Sequence, residues 1–392
     1  MTVPALGVYV HVPFCATKCD FCHFSSGVYS QKLIDPYFQA VRQEIRNCAE
    51  ILHSLNVHPI KGPLCVDSVY IGGGTPTLVP PQHLGEIMRV LRETFELAPE
   101  TETTLEANPG TLDADKISWY RDMGVNRISM GVQSFQDDLL RAIGRSHSVA
   151  DAVETYSLLR SEGFSNISLD LIAGLPGQTA VHWEQNLDAV CHLRPDHLSL
   201  YLLEIHERTR FGKRYREDGS NGLPAEEEVE EFYLRAVQNL ASAGYHHYEI
   251  SNFSRPGRES QHNLKYWTDQ PYLGFGCSAH SYLSKRWSNQ AQPSRYVEEI
   301  RQNGQAVESC LELSVAQRVE ETLFLGLRLS RGVNLRSFRS RFGFDLRDRL
   351  SGVIGSLQHG ALIQLEDDWL RLTTKGFLVS NEVLTELMTS LT

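Results

Sequence analysis

The stretch "CATKCDFCHFSS" at residues 15–26 sets three cysteines at spacings of four and three, in a chain with eight cysteines among 392 residues. It follows directly on "GVYVHV" (7–12), an apolar run that reads as a buried strand. The remaining cysteines, Cys48, Cys65, Cys191, Cys277 and Cys310, are scattered singly, as small buried hydrophobes usually are. The clustered three need a chemical reason. A structural zinc site closes with four ligands, generally as two knuckles. No second knuckle is visible, and His23 is sterically awkward as a further ligand beside Cys22 on the same ion. An ordinary four-iron cluster takes four thiolates. Three leave one iron open, so the missing fourth cysteine reads as a site built to bind something at iron.

Outward from this loop, residues 6 to about 205 alternate strand-like runs with helical patterns. The strand candidates are "GVYVHV", "VDSVYIGG" (66–73), "TTLEA" (103–107), "RISMGV" (127–132), "NISLDLI" (166–172) and "HLSLYLL" (197–203). Between the second and third, Leu84, Ile87, Met88, Leu91 and Phe95 recur at helical spacing. Gly124 and Gly163 stand where a helix would stop just before the next strand. Six β-then-α units predict an α/β fold, with a parallel sheet curled into a full or partial barrel and working residues at the carboxyl ends of its strands. A span of 1–215 is expected for this core. Residues 216–310 read as an extension, with an acidic helix stopping at Gly244, a strand-like "YHHYEIS" and an irregular aromatic- and Gly-rich segment. Residues 311–392 read as helix, helix, helix, strand, strand, helix, the order of a small winged-helix-like domain.

Hydrophobic residues make up 41% and charged residues 22%, a composition that supports a real core. The net charge of −11 argues against a phosphate-backbone partner, because nucleic-acid affinity rests on Lys and Arg. The uncharged first seventeen residues lack the basic start of a secretory signal and run straight into the cysteines. No apolar run is long enough for a transmembrane helix, which leaves peripheral membrane contact open. A reducing cytosol is the expected compartment.

CxxxCxxC with an aromatic, Phe21, before its last cysteine resembles the cluster motif of radical S-adenosylmethionine (radical SAM) proteins. "YVHVPFC", "IGGGTPT", "EANPGT", "GVNRISMGVQSF", "SLDLIAGLPGQT", "HNLKYW" and "GFGCSAH" narrow the likeness to the family of oxygen-independent coproporphyrinogen III dehydrogenase. Within it, they are most similar to the HemW-type heme-chaperone branch. The motifs run from about residue 7 to 280. The resemblance implies a partial (β/α)6 barrel holding a 4Fe-4S cluster on Cys15, Cys19 and Cys22. It also implies S-adenosylmethionine bound by one iron's open site. Gly73, Gly74 and Thr75 would then meet the methionine moiety, and Glu106, Gln133, Arg145 and Asp170 would surround ribose, methionine and carboxylate. Tyr9 and Phe21 would flank cluster and adenine. Without the resemblance, each of these residues has a plain alternative as a glycine bend, a solvated strand end or a core aromatic.

The same resemblance implies heme as a ligand. "HNLKYW" (262–267) is a recurrent signature of the chaperone branch and makes His262 the candidate axial ligand, with Cys277 and His280 weaker ones; a lone histidine is more often a satisfied core or surface group. Two positions depart from the pattern. Phe24 stands where the decarboxylating enzymes carry a further cysteine, and His23 where the chaperone branch usually has Asp. The expected function is therefore heme binding and transfer to an acceptor protein, with coproporphyrinogen III dehydrogenation as the alternative. Cleavage of S-adenosylmethionine stays open.

Overall fold

The six core strands form close to where the apolar runs stand. In the computed structural model, which describes residues 5–57, 64–218 and 222–391, β1 (Leu6–Val12), β2 (Cys65–Gly73), β3 (Glu96–Ala107), β4 (Arg127–Gln133), β5 (Ile167–Ala173) and β6 (His197–Leu202) are parallel neighbours in chain order. Only β3 departs from the sequence reading, starting at Glu96 instead of Thr103. Its first half, "ELAPETE", carries charge and a proline, yet Cys65 and Val66 of β2 pair with Glu96 and Leu97. Tertiary pairing there overrides local propensity. Helices Pro81–Thr94, Ala114–Asp122, Val149–Ser161 and Ala180–Leu193 supply crossovers. Gly124 (φ 98°) and Gly163 (φ 89°) take the left-handed stop that the sequence predicts.

The next strands are β7 (His246–Glu249), β8 (Asn252–Ser254), β9 (Tyr272–Phe275), β10 (His280–Tyr282), β11 (Arg286–Asn289) and β12 (Val307–Leu311). The last three are β13 (Val333–Asn334), β14 (Ile363–Glu366) and β15 (Trp369–Leu372). Two compact units result: Met1–Phe232 with Gln270–Glu312, and Tyr233–Asp269 with Leu313–Thr392.

The first unit holds an open sheet in the order β12-β11-β10-β9-β1-β2-β3-β4-β5-β6. The sheet thus does not close into a full barrel. β9 lies inside the stretch read as irregular, and pairs in parallel with β1, Gly7 opposite Tyr272. Four residues, one of them Gly274, give too little periodicity to announce it. Gly274 is required by the fold, since a Cβ there would stand 2.2 Å from the His280 carbonyl oxygen. β1, β4 and β5 are buried along nearly their whole length, as parallel strands covered on both faces are. Their single unburied positions are Tyr9, Gln133 and Asp170.

The second unit contains the antiparallel β7–β8 hairpin and a C-terminal winged-helix-like part. That part runs Val315–Gly326, Leu335–Phe342, Leu346–His359, the β14–β15 hairpin, then Thr374–Leu378 and Ser380–Thr389. The short β13 pairs with β15. "HNLKYW" is not irregular: Gln261–Trp267 is a helix, capped by the Ser260 hydroxyl accepting from the Asn263 N–H at 3.3 Å.

Candidate functional site

The cysteine loop leaves β1 at its carboxyl end and is closed by its own backbone. Cys15 N–H donates to Gly27 O (2.9 Å), Gly27 N–H to Pro13 O (2.9 Å), and Cys22 N–H to Cys19 O (3.2 Å). The Lys18 ammonium donates to Phe24 O at 2.7 Å and Ser26 O at 2.5 Å, drawing the far side of the loop inward. His11 Nε2 lies 2.9 Å from the Ser25 carbonyl, which can only accept, so Nδ1 accepts from the Tyr9 hydroxyl at 2.9 Å. All eight cysteines are free, and Cys15, Cys19 and Cys22 are half-buried. Burial holds the Cys15 thiol above its ordinary value; the Ser26 hydroxyl opposes this, while Cys22 and Cys19 add to it. Among the described residues no group of three or more His, Cys, Asp or Glu side chains could hold a single metal ion.

Phe21 does not stand free beside the cysteines. It packs on an apolar cluster of Leu139, Ile143, Ile172, Leu175 and Phe211, which anchors the loop. Asp20 adds two backbone bonds, its N–H to Ile143 O (3.2 Å) and its carbonyl accepting from Phe211 N–H (3.0 Å).

A glycine strip on β2 faces this loop. A Cβ on Gly72 would stand 2.6 Å from the Glu106 carboxyl carbon, and one on Gly74 would stand 2.6 Å from Phe14 O and 3.0 Å from Cys15 Sγ. Gly73, at φ 119°, donates its N–H to Glu106 Oε2 at 2.8 Å, while the Tyr70 hydroxyl donates to Oε1 at 2.9 Å. Burial nevertheless raises the Glu106 carboxyl to about 7. Thr75 N–H donates to Phe14 O at 2.8 Å, fixing this strip against the loop.

Arg145 completes the ring of groups. It donates to Cys19 Sγ (3.6 Å), to Asn108 Oδ1 (2.8 Å) and to the Gly131 carbonyl. Asn108 in turn donates to Thr75 Oγ1 at 2.9 Å. Gln133 sits at a register shift in β4 with φ 70°, a left-handed backbone unusual for glutamine. Its Oε1 is buried with no hydrogen-bond partner, as is Nε of Arg145. Such orphaned atoms are costly unless something else meets them. Asp170 accepts from Ser129 Oγ at 3.3 Å, and its carboxyl is raised chiefly by burial. Gly73, Gly74, Thr75, Glu106 and Gln133 thus lie at or just beyond the carboxyl ends of β2, β3 and β4, with Gly74 next to Cys15 and Arg145 on Cys19, whereas Tyr9 and Asp170 sit at the middle of β1 and β5. Asn108 and Tyr70 belong to the same set. Sequence reading passed over both, although Asn108 lies within the quoted "EANPGT".

His262 lies in the second unit. It is buried, and its Nε2 is 2.8 Å from the Tyr266 hydroxyl one helical turn on. Cys277 is fully buried beside the Tyr37 hydroxyl, and His280 is exposed on β10. A different histidine contact is present at the cysteine loop. The rings of His23 and His206 have centroids 3.9 Å apart, and Phe24 stacks on His23 at 4.9 Å.

The description of the Radical SAM superfamily matches residues 9–190, and that of the HemN C-terminal domain matches 313–379. The chain is 36% identical over 380 residues to a Bacillus subtilis protein named "Heme chaperone HemW", covering 96% of this chain and 97% of that one. It is 33% identical over 381 residues to a Lactococcus lactis protein of the same name, covering 97% and 96%. Among solved structures, that of Escherichia coli coproporphyrinogen III oxidase (HemN), a radical SAM enzyme, matches with a TM-score of 0.85, covering 99% of this chain and 91% of that one. Sequence identity there is 24%, so the likeness establishes the fold.

Proposed function

The chain belongs to the HemW-type heme-chaperone family of radical SAM proteins, and from that premise we propose that it binds heme and passes it to an acceptor protein. It also keeps a 4Fe-4S site on Cys15, Cys19 and Cys22 and a site for S-adenosylmethionine, in a cytoplasmic setting. The observation that carries the heme reading is 33–36% identity, over nearly the full length, to proteins named heme chaperones. Among the described residues, no helix is long and apolar enough to cross a membrane.

The residues present fit the implied cofactors. A lone ion needs its ligands to meet at one point, whereas a four-iron cluster spreads them over separate irons. The three thiols border one loop without forming a single-ion site. The orphaned Gln133 Oε1 and Arg145 Nε are polar atoms awaiting a polar ligand. Gly72 and Gly74 keep side chains out of the space next to Glu106 and Cys15. Arg145 would hold a carboxylate through its guanidinium fork, Glu106 and Asp170 would accept from hydroxyl or amino groups, and Tyr9 would border the adenine side. When bound, cluster and S-adenosylmethionine supply one-electron chemistry. Phe24, at the place of the decarboxylating enzymes' extra cysteine, favours a chaperone.

Anaerobic reconstitution should give about four irons and four sulfides per chain, lost on replacing Cys15, Cys19 or Cys22 by alanine. Stoichiometric zinc with no iron uptake would sink the cluster assignment. The reconstituted protein should bind hemin and leave coproporphyrinogen III unconverted. Catalytic formation of protoporphyrinogen would reinstate the dehydrogenase reading.

A further inference from the structure

Arg127, the first residue of β4, is among the largest fully buried side chains, with 1% of its surface exposed. A guanidinium carries its charge at any pH at which a protein folds, so burying one calls for a partner. Here the partners are few. Nη1 reaches Thr104 Oγ1 only at 3.5 Å, and Nε has no hydrogen-bond partner. Among the described residues no carboxylate lies within ion-pair distance of it. Such a charge does little to hold the sheet together.

The strand register shows where the charge acts instead. Arg127 lies opposite Thr104 of β3, and Ser129, two residues on and on the same face, lies opposite Glu106. Glu106 thus stands one step above Arg127, about 7 Å along the strand. On the other side Ser129 donates to Asp170 of β5 at 3.3 Å. A cation at such a separation still acts on carboxylates in a dry interior. Arg127 pulls both carboxyls down, against the burial that raises Asp170 and holds Glu106 at about 7. The other groups facing the pair are neutral, Arg145 excepted. Tyr70 donates to Glu106, with Tyr9 and Tyr201 beside Tyr70. Ser199 bonds Asp170, and Arg145, engaged with Asn108 and Cys19, is the second cation acting on it. His197, 2.8 Å from Ser168 Oγ, is kept neutral by burial and by Arg127.

We propose that Arg127 is a positioning residue of the cofactor site: its buried charge, set beneath Glu106 and Asp170, holds both as carboxylates toward neutral pH, so that they accept from the hydroxyl and amino groups of S-adenosylmethionine. The inference rests on the S-adenosylmethionine reading and names what sets the pH range of that site. Without the cation, protonation of the pair would persist to higher pH. Calorimetric titration of the anaerobically reconstituted protein with S-adenosylmethionine, between about pH 6.5 and 8.5, tests it. Arg127→Met, of similar length without the charge, should bind about fivefold or more weaker than wild type at the acid end. At the alkaline end, where both carboxyls ionise in either protein, it should come within about twofold. Arg127→Lys, which keeps the charge, should follow the wild-type profile. A ligand-free measurement reads the carboxyl directly. The infrared band of a protonated carboxyl, assigned to Glu106 by its loss in Glu106→Gln, should disappear at higher pH in Arg127→Met than in the wild type. Weakening of equal size at every pH, or failure of Arg127→Met to fold, would overturn the proposal by showing a structural role. So would unchanged binding, or an infrared midpoint that does not move. A wild-type protein that binds no S-adenosylmethionine would overturn the cofactor reading instead, and the infrared midpoint would still decide on Arg127.

Discussion

Gly72 is a position where one added carbon would reach the candidate cofactor site. A Cβ there would stand 2.6 Å from the carboxyl carbon of Glu106, which the Gly73 N–H and the Tyr70 hydroxyl hold from the other side. Gly72→Ala must therefore displace the carboxylate or bend β2. Thermal unfolding should show a loss of about 1–3 kcal/mol, the usual cost of overpacking. Calorimetric titration of the folded variant should show S-adenosylmethionine binding weakened by about tenfold or more. Unchanged affinity would remove Glu106 from the cofactor site. The glycine run stood out in the sequence, where it reads either as a bend or as a close backbone approach; Glu106 and Cys15 lie where side chains on Gly72 and Gly74 would stand. The left-handed backbone of Gln133 was not legible, since nothing in "GVQSF" marks a glutamine for that conformation. The His23–His206 contact was equally hidden, because it joins residues far apart in the chain and His206 belongs to no motif.

At the scale of elements, apolar runs announced strands wherever the pairing was long. They failed at β9, which is short and held by its neighbour β1, and at Gln261–Trp267, whose helix depends on the Ser260 cap. They also hid how the first unit is tied together. Glu44, on the amphipathic helix Ile34–Arg46, is buried. It accepts from the Tyr296 hydroxyl at 2.5 Å, Gly276 N–H at 2.8 Å and Asn289 Nδ2 at 2.5 Å, joining that helix to the residue after β9, to β11 and to Pro293–Asn303. Burial raises its carboxyl to about 7, against the pull of these three donors. A carboxyl raised by folding contributes stability that is complete below its unfolded value, near 4.5, and lost as pH climbs through about 7. Denaturant unfolding of wild type and Glu44→Gln across that range should therefore converge on the acid side and separate differently above it. The wild type should lose about 3 kcal/mol relative to the variant between pH 4.5 and pH 8. A difference independent of pH would mean that folding leaves the Glu44 carboxyl at its ordinary value.

For the whole molecule, the remaining question is what a winged-helix-like unit does in a protein of net charge −11. In DNA-binding relatives of this arrangement, a helix enters the major groove and its cations meet phosphates. The helix Leu335–Phe342 does carry Arg336, Arg339 and Arg341, with Arg347 shortly beyond. Most of that charge is already engaged. Arg336 pairs with Asp368, and Arg341 with Asp269 at 2.5 Å. Arg347 holds Asp345 through two side-chain bonds, at 3.0 and 2.7 Å, lowering that carboxyl to about 2. An arginine committed to an aspartate has to break that pair before it can neutralise a phosphate, and the acidic chain repels the rest of the duplex. The unit should therefore act in packing within the protein. Fluorescence anisotropy with a labelled duplex should show no saturable binding at about 0.15 M salt, and only weak, steeply salt-dependent binding when salt is lowered about tenfold. Micromolar or tighter affinity at the higher salt, weakened by Arg339→Glu, would give this unit a nucleic-acid partner and overrule the argument from charge.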